Sequence, residues 1–295
     1  MMLKTKNNLN VRNFVTVIFS YDRPMQLDLT LNTYEKYSLN RNIEHEFVIY
    51  KTSDNRYENA YKQVAKEHPN IKFIKETTFK INLYQCIKGK EYVMFLVDDC
   101  IFTRIYSIKE VLDFVYMCQG ALGFSLRLGM NTKYCYPLNV ENNLPFMQPL
   151  GTNLLAFNWR DAGQGDFSYP LEVSSSVYRI DDIKPIIEGI HYSNPNQLEW
   201  VMYNYIPNLV NRPFLLCHES SVAFCAPINR VQTENNNRVG INPYYSVENL
   251  LDLYEKGYRI NTLPLGGFIS NGCHQEIEFD FLEPTENKYD NREYR

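Results

Sequence analysis

One stretch, Glu91-Tyr92-Val93-Met94-Phe95-Leu96-Val97-Asp98-Asp99-Cys100-Ile101-Phe102, constrains the fold more than any other. It opens as an unbroken apolar run of β-branched and aromatic residues. Such a run suits a strand covered on both faces, in the middle of a parallel sheet. The run stops at two adjacent carboxylates. Acids left unpaired in a core are costly, so they belong at the C-terminal edge of the strand, where solvent or a cation reaches them. In open α/β sheets ligands bind beyond that edge. Strand alternation sends neighbouring side chains to opposite faces, whereas a turn lets both acids enter one crevice. Paired carboxylates there suit a hard divalent cation, Mg²⁺ or Mn²⁺, that holds phosphate oxygens. The plainer alternative is that Asp98 and Asp99 cap a turn or sit in water.

The preceding residues place this strand in a repeating pattern. Phe14–Phe19 reads as a first buried strand and runs into Ser20-Tyr21-Asp22-Arg23-Pro24, where Pro24 fits the first turn of a helix. Glu46–Tyr50 is a second strand, Tyr57–Glu67 a helix, and Ile71–Ile74 a third strand. Ser107-Ile108-Lys109-Glu110 has the capping-box pattern that opens a helix ending near Gly120, and Ala121–Leu126 follows as a strand. Alternation of this kind predicts βα units and a mainly parallel central sheet flanked by helices.

After this the texture changes. Residues 128–171 are rich in Asn, Pro, Gly and Tyr, with one expected strand at Asn153–Phe157. Long loops in a compact domain more often serve function than not. Leu171–Tyr178 is expected as a strand, Asp181 or Asp182 as the cap of a short helix, and a further helix after Pro195 carries Glu199. Ser246 caps a helix that stops at Gly257, and the charged tail after Pro284 is expected to be mobile. There is no internal repeat and no linker that would separate independent domains. The expected organisation is one domain over 1–295, with a donor-binding half at 11–126, an acceptor-binding and catalytic half at 127–283, and the tail at 284–295.

Composition excludes some functions. A net charge of -4 with interspersed signs argues against a general nucleic-acid binder, which needs a basic face. The 23 tyrosines, many in loop-like stretches, suit stacking on sugars or nucleobases as well as ordinary packing. The 7 cysteines are irregularly spaced, without a C-x-x-C pair, and fit reduced, buried thiols in the cytoplasm. The first ten residues lack the apolar core of a signal peptide, and no apolar run approaches the roughly 18 residues that span a bilayer. Action at a membrane is therefore expected from its inner surface.

The order of these segments resembles the GT-A fold (nucleotide-diphospho-sugar transferase) glycosyltransferases, particularly the family-2-like group. Thr16-Val17-Ile18-Phe19-Ser20-Tyr21-Asp22-Arg23-Pro24 looks like their opening strand and turn, where Asn is commoner than Asp22. Asp54, after the second strand, resembles the acid that contacts the nucleobase, and Phe95–Asp99 looks like the DXD region. Glu199 lies where the family places its catalytic acid. The likeness covers about 14–125 well and the rest loosely. The usual acidic triplet is incomplete here, with Val97 and Cys100 flanking the pair.

The resemblance implies transfer of a sugar from a nucleotide-diphosphate donor to a glycan or glycolipid acceptor, in polysaccharide or glycoconjugate assembly. It implies a donor site of Ser20, Tyr21, Asp22, Arg23, Asp54, Lys80 and Asp98. Asp98 and Asp99 would take Mn²⁺ or Mg²⁺, with His218, His274 or Glu219 completing the shell. An acceptor hydroxyl needs a positioned base. Glu199 is the first choice in an inverting mechanism, followed by Asp166 and Glu172. Trp159, with Arg160, Asp161 and Gly163-Gln164-Gly165, is a candidate acceptor loop, and Asn229-Arg230-Val231-Gln232 a candidate lid. Two rivals stand beside this reading. A nucleotidyltransferase would call for a Gly-rich loop after the first strand, which Ser20–Pro24 lacks. A sugar-binding protein of the same fold without catalysis is the other.

Overall fold

The computed structural model describes residues 13–232, 234 and 238–284. Nine strands form one sheet: β1 (Phe14–Tyr21), β2 (Glu46–Lys51), β3 (Lys72–Lys75), β4 (Tyr92–Val97), β5 (Ala121–Ser125), β6 (Gln148–Pro149), β7 (Leu154–Asn158), β8 (Ser176–Arg179) and β9 (Phe214–His218). Their spatial order is β6-β7-β9-β5-β8-β4-β1-β2-β3. From β4 to β3 every pair is parallel, as the βα alternation predicts. Elsewhere the sheet is mixed. β8 runs antiparallel to both β4 and β5, β7 runs antiparallel to β9 and β6, and only β5 and β9 pair in parallel. β6, β7 and β8 are reached through loops with no α-helix between them, so they lack the helical crossover that goes with parallel pairing.

Among the described residues seven α-helices cover the two faces. Leu27 and Leu31 of α1 (Pro24–Tyr37), Tyr61 and Val64 of α2 (Asn55–Glu67), Val111 of α4 (Ile108–Met117) and Leu250 of α7 (Val247–Glu255) pack into one core. Leu83 of α3 (Phe79–Ile87), Ile183 of α5 (Ile180–Gly189) and Leu198 of α6 (Pro195–Tyr205) pack into the other. The central strands feed both. In β4, Tyr92, Met94 and Leu96 face the first core, and Val93 and Phe95 the second. This is the period-2 alternation of a strand buried on both sides.

Helix ends follow local chemistry. Pro24 sits at the start of α1, Ser107 Oγ accepts from Glu110 N at 3.2 Å, and Ser246 Oγ accepts from Asn249 N at 3.2 Å. Two expectations change. Asp181 and Asp182 lie inside the first turn of α5 and do not cap it; its N-cap is Arg179. The strand expected from Leu171 begins only at Ser176, because Glu172 gathers the backbone N–H groups of Ser174 and Ser175 and bends the chain there. All seven cysteines are buried and unpaired with one another. Among the described residues no helix is long and apolar enough to cross a membrane. Residues 285–295, most of the expected mobile tail, lie outside the described residues.

Candidate active site

A cavity of about 810 Å³ opens beyond the C-terminal ends of β1 and β4. That volume is in the usual range for small-molecule sites. Asp98 and Asp99 follow Val97 in a turn, and the chain then continues as Cys100–Phe102, antiparallel to Ala223–Cys225. The turn breaks strand alternation, and both acids line the cavity.

Asp98 is held from several sides. Ser20 Oγ donates to Oδ2 at 2.8 Å and Tyr21 N donates to the same oxygen at 3.2 Å. Arg23 Nη1 donates to Asp98 Oδ1 at 3.0 Å and to Asp99 Oδ2 at 3.2 Å. Thr30 Oγ1 fixes the Asp98 carbonyl at 2.8 Å. Burial pushes the Asp98 carboxyl upward, and Arg23 opposes it. Ser20, Tyr21 and Arg23 therefore meet Asp98 at the cavity wall.

Other candidates are placed differently. Asp22 lies behind the wall with left-handed backbone (φ 52°), a conformation that Asn and Asp tolerate best after Gly. Its Oδ1 accepts from Ser53 N at 2.9 Å, so it holds the β1 turn against the one after β2. Asp54 is the N-cap of α2, accepting from Arg56 N at 2.7 Å, and is not among the cavity-lining residues. Lys80 also lies outside. Its Nζ donates to the carbonyls of Glu188 and Ile190 at 2.9 and 2.8 Å, where it closes the end of α5. His218 is buried against Phe124, with ring centroids 5.0 Å apart, and burial pushes it down to about 4. It is a neutral core imidazole away from the aspartates. His274 does line the cavity, but its Nε2 faces Arg127 Nη1 at 3.2 Å. Glu219 is exposed and lies outside the cavity.

On the opposite wall, α6 carries Glu199 into the cavity. Tyr169 Oη donates to Oε1 at 3.2 Å and Val173 N to Oε2 at 3.0 Å. Burial, with the charge of Glu172 adding to it, pushes the Glu199 carboxyl up to about 7. Glu172 itself is saturated by Arg127, Ser174 N, Ser175 N and Ser176 Oγ, which leaves it little capacity as a base. Asp166 lines the cavity between Asn142 and Cys135, and burial raises its carboxyl.

The acceptor-loop expectation changes. Trp159 is buried, with Nε1 donating to the Arg212 carbonyl at 2.8 Å, and so anchors its loop. Among the aromatic residues that line the cavity is Trp200, next to Glu199 on α6 and 66% exposed. Sequence reasoning passed over Trp200, although its position beside the chosen base was a usable signal. Asn229, Arg230, Val231 and Gln232 all line the cavity.

The residues do not fit a divalent centre. Among the described residues no three His, Cys, Asp or Glu side chains form a metal-binding group. The acid pair already shares a guanidinium, and both oxygens of Asp98 are engaged by protein donors.

No family model matches the chain. It is 31% identical over 255 residues to the bifunctional glycosyltransferase pgtA of Dictyostelium discoideum, a match over 76% of this chain and 33% of that protein. The chain thus spans about a third of the length of that relative. Among solved structures, it aligns with S. aureus TarS in complex with UDP-GlcNAc at a TM-score of 0.46 and 13% identity, over 81% of this chain and 65% of that one. A Pyrobaculum calidifontis mannosyltransferase in complex with GDP-Man and Mn²⁺ aligns at 0.36 and 10%, over 62% and 50%. These structural likenesses are too loose to carry an argument. By its match to pgtA, the chain is similar to a glycosyltransferase.

Proposed function

We propose that the chain transfers a sugar from a nucleotide-diphosphate donor to a hydroxyl of a glycan or glycolipid acceptor, with inversion. The observation that carries this reading is the pairing of Glu199 with the Asp98–Asp99–Arg23 cluster across one cavity. The donor lies along the β1 and β4 ends, its diphosphate at the cluster. Lys51 and Arg238 add positive charge along the same cavity. The acceptor enters from α6, where the exposed Trp200 ring offers a face for a sugar.

Glu199 takes the proton from the acceptor hydroxyl as its oxygen bonds to the anomeric carbon. The bond from that carbon to the diphosphate oxygen breaks, and the nucleoside diphosphate leaves with the electron pair. The sugar carbon passes through an oxocarbenium-like state. A base whose proton affinity lies near neutral pH suits this step, being ionised in a substantial fraction of molecules yet still basic. Proximity to the inner face of a membrane would bring a glycolipid acceptor within reach.

Thermal shift against a panel of nucleoside diphosphates and nucleotide sugars, followed by donor turnover, tests the reading. A matching nucleoside diphosphate stabilises the protein. Glu199→Gln keeps that stabilisation and loses turnover by about 10²-fold or more, whereas Arg23→Ala loses most of the stabilisation. If no nucleoside diphosphate in the panel raises the melting temperature, the donor site is wrongly assigned.

A further inference from the structure

A cation that bridges the acid pair is built into the chain. Arg23 lies between the left-handed turn at Asp22 and Pro24, the first residue of α1. Its backbone is therefore set on both sides. The backbone N–H donates to Tyr61 Oη at 3.2 Å. Nη2 donates to the Asn229 carbonyl, while Nη1 reaches both Asp98 and Asp99. The Arg23 side chain is 11% exposed, and those of Asp98 and Asp99 are 6% and 16% exposed. A guanidinium confined this way keeps its charge at any working pH and is more weakly hydrated than an ammonium, so it tolerates burial.

A divalent ion bridging the same carboxylates would sit against that guanidinium and meet its like charge in a poorly screened place. It would also displace donors that already satisfy Asp98. Arg23 Nε is buried and has no hydrogen-bond partner among the described residues. An oxygen of a bound diphosphate would satisfy it.

We propose that Arg23, not a divalent metal, is the resident cation of this site, and that it binds the diphosphate of the donor without added metal. The inference rests on the donor-site reading above, but one of its tests does not.

That test is direct titration of Mn²⁺ into the chelator-stripped wild-type chain, followed by electron paramagnetic resonance of the free ion. No site tighter than about 1 mM is expected at the acid pair. Mn²⁺ binding that disappears in Asp99→Ala overturns the proposal, whether or not a nucleotide is known. In the second arm, donor affinity and turnover are measured in EDTA and in Mn²⁺. Wild type is expected to agree between the two within about twofold, and Arg23→Ala to lose about tenfold or more in donor affinity in EDTA. Mn²⁺ should restore part of that loss in Arg23→Ala, because the freed carboxylates can then take the ion. Wild-type donor binding or turnover that collapses in EDTA overturns the proposal. If Arg23→Ala does not fold, Arg23→Lys and the wild-type comparisons still decide. Failure of all nucleotides to bind strikes the donor reading, and the Mn²⁺ titration then decides on Arg23 by itself.

Discussion

A carboxyl that holds its proton up to about pH 7 has two consequences at Glu199. The first is kinetic. A base must be ionised, so turnover should rise with pH and level off above about 7, and a flat profile from pH 5 to 8 would remove Glu199 from that role. The second concerns stability, and its sign follows from the direction of the shift. Between the ordinary carboxylate range and about 7 the folded chain keeps a proton that the unfolded chain has released. Stability therefore falls as pH rises through that window and stays lower above it. Glu199→Gln carries no such charge. It should gain on wild type by on the order of 1–2 kcal/mol between pH 5 and pH 8, in urea unfolding at each pH. An equal difference at both pH values would show that the buried charge costs nothing. Next to it, Trp200→Ala should raise the acceptor KM about fivefold to tenfold, the loss of one stacked ring, and leave donor affinity unchanged. A changed donor affinity would place the Trp200 ring on the donor side. At this scale the legible residues were those in local patterns. Asp98 and Asp99 announced themselves by ending an apolar run, and Ser20 and Arg23 by following one. Lys80 and His218 had no such context: one closes a helix and the other fills a core, and nothing in their neighbours along the chain says so. Arg127, which holds Glu172 at 3.1 Å, becomes visible only when β5 and the segment before β8 come together.

Elements were legible where their ends carry their own signal. Pro24, Ser107 and Ser246 start helices in the structure as their chemistry requires. α3 was missed because its start lacks such a signal: Thr78 makes no side-chain capping bond, and only Gly89, left-handed at φ 75° just past the C-cap Lys88, marks the helix end. Where α1 meets the end of α2, one residue links the two. His68 is the C-cap of α2, and its Nδ1 and Nε2 face Glu35 at 2.8 Å and Asp28 at 3.2 Å, both on α1. Burial alone favours the neutral ring, but two carboxylate partners outweigh it and raise the imidazole to about 9. A folded-state value above the unfolded one means that the contribution is complete below about 6.5 and fades as pH rises to about 9. His68→Gln should cost on the order of 2–3 kcal/mol at pH 6, because buried Asp28 loses its nearer cation and keeps only Arg259 Nε at 3.8 Å, and the gap should narrow at pH 9.5. Denaturant unfolding at the two pH values checks this, and a gap independent of pH would mean that the ring is neutral throughout.

The whole molecule shows where reading along the chain stops. The expected halves, 11–126 and 127–283, are a division by sequence that the sheet does not respect. β8, from residues 176–179, lies between β4 and β5, so the last two strands of the first half never touch each other. Ala223–Cys225 pairs with Cys100–Phe102 directly behind the acid pair. α7 packs on the same face as α1 and α2, and Arg56 of α2 reaches Asp252 and Glu255 of α7 at 2.5 and 2.7 Å. None of these pairings has a local signature, since each joins segments about fifty residues apart or more. A chain cut after residue 126 would leave β5 without either neighbour and one side of α1 bare, exposing apolar surface and open strand edges. Residues 1–126 alone should therefore give no cooperative thermal transition and no stabilisation by nucleotide. The 295-residue chain should unfold in one transition that coincides by tyrosine fluorescence and far-ultraviolet circular dichroism. A fragment that melted cooperatively and bound a nucleoside diphosphate would show that the acid pair and its arginine are held by the first half alone. The Arg23 contact to the Asn229 carbonyl would then be dispensable.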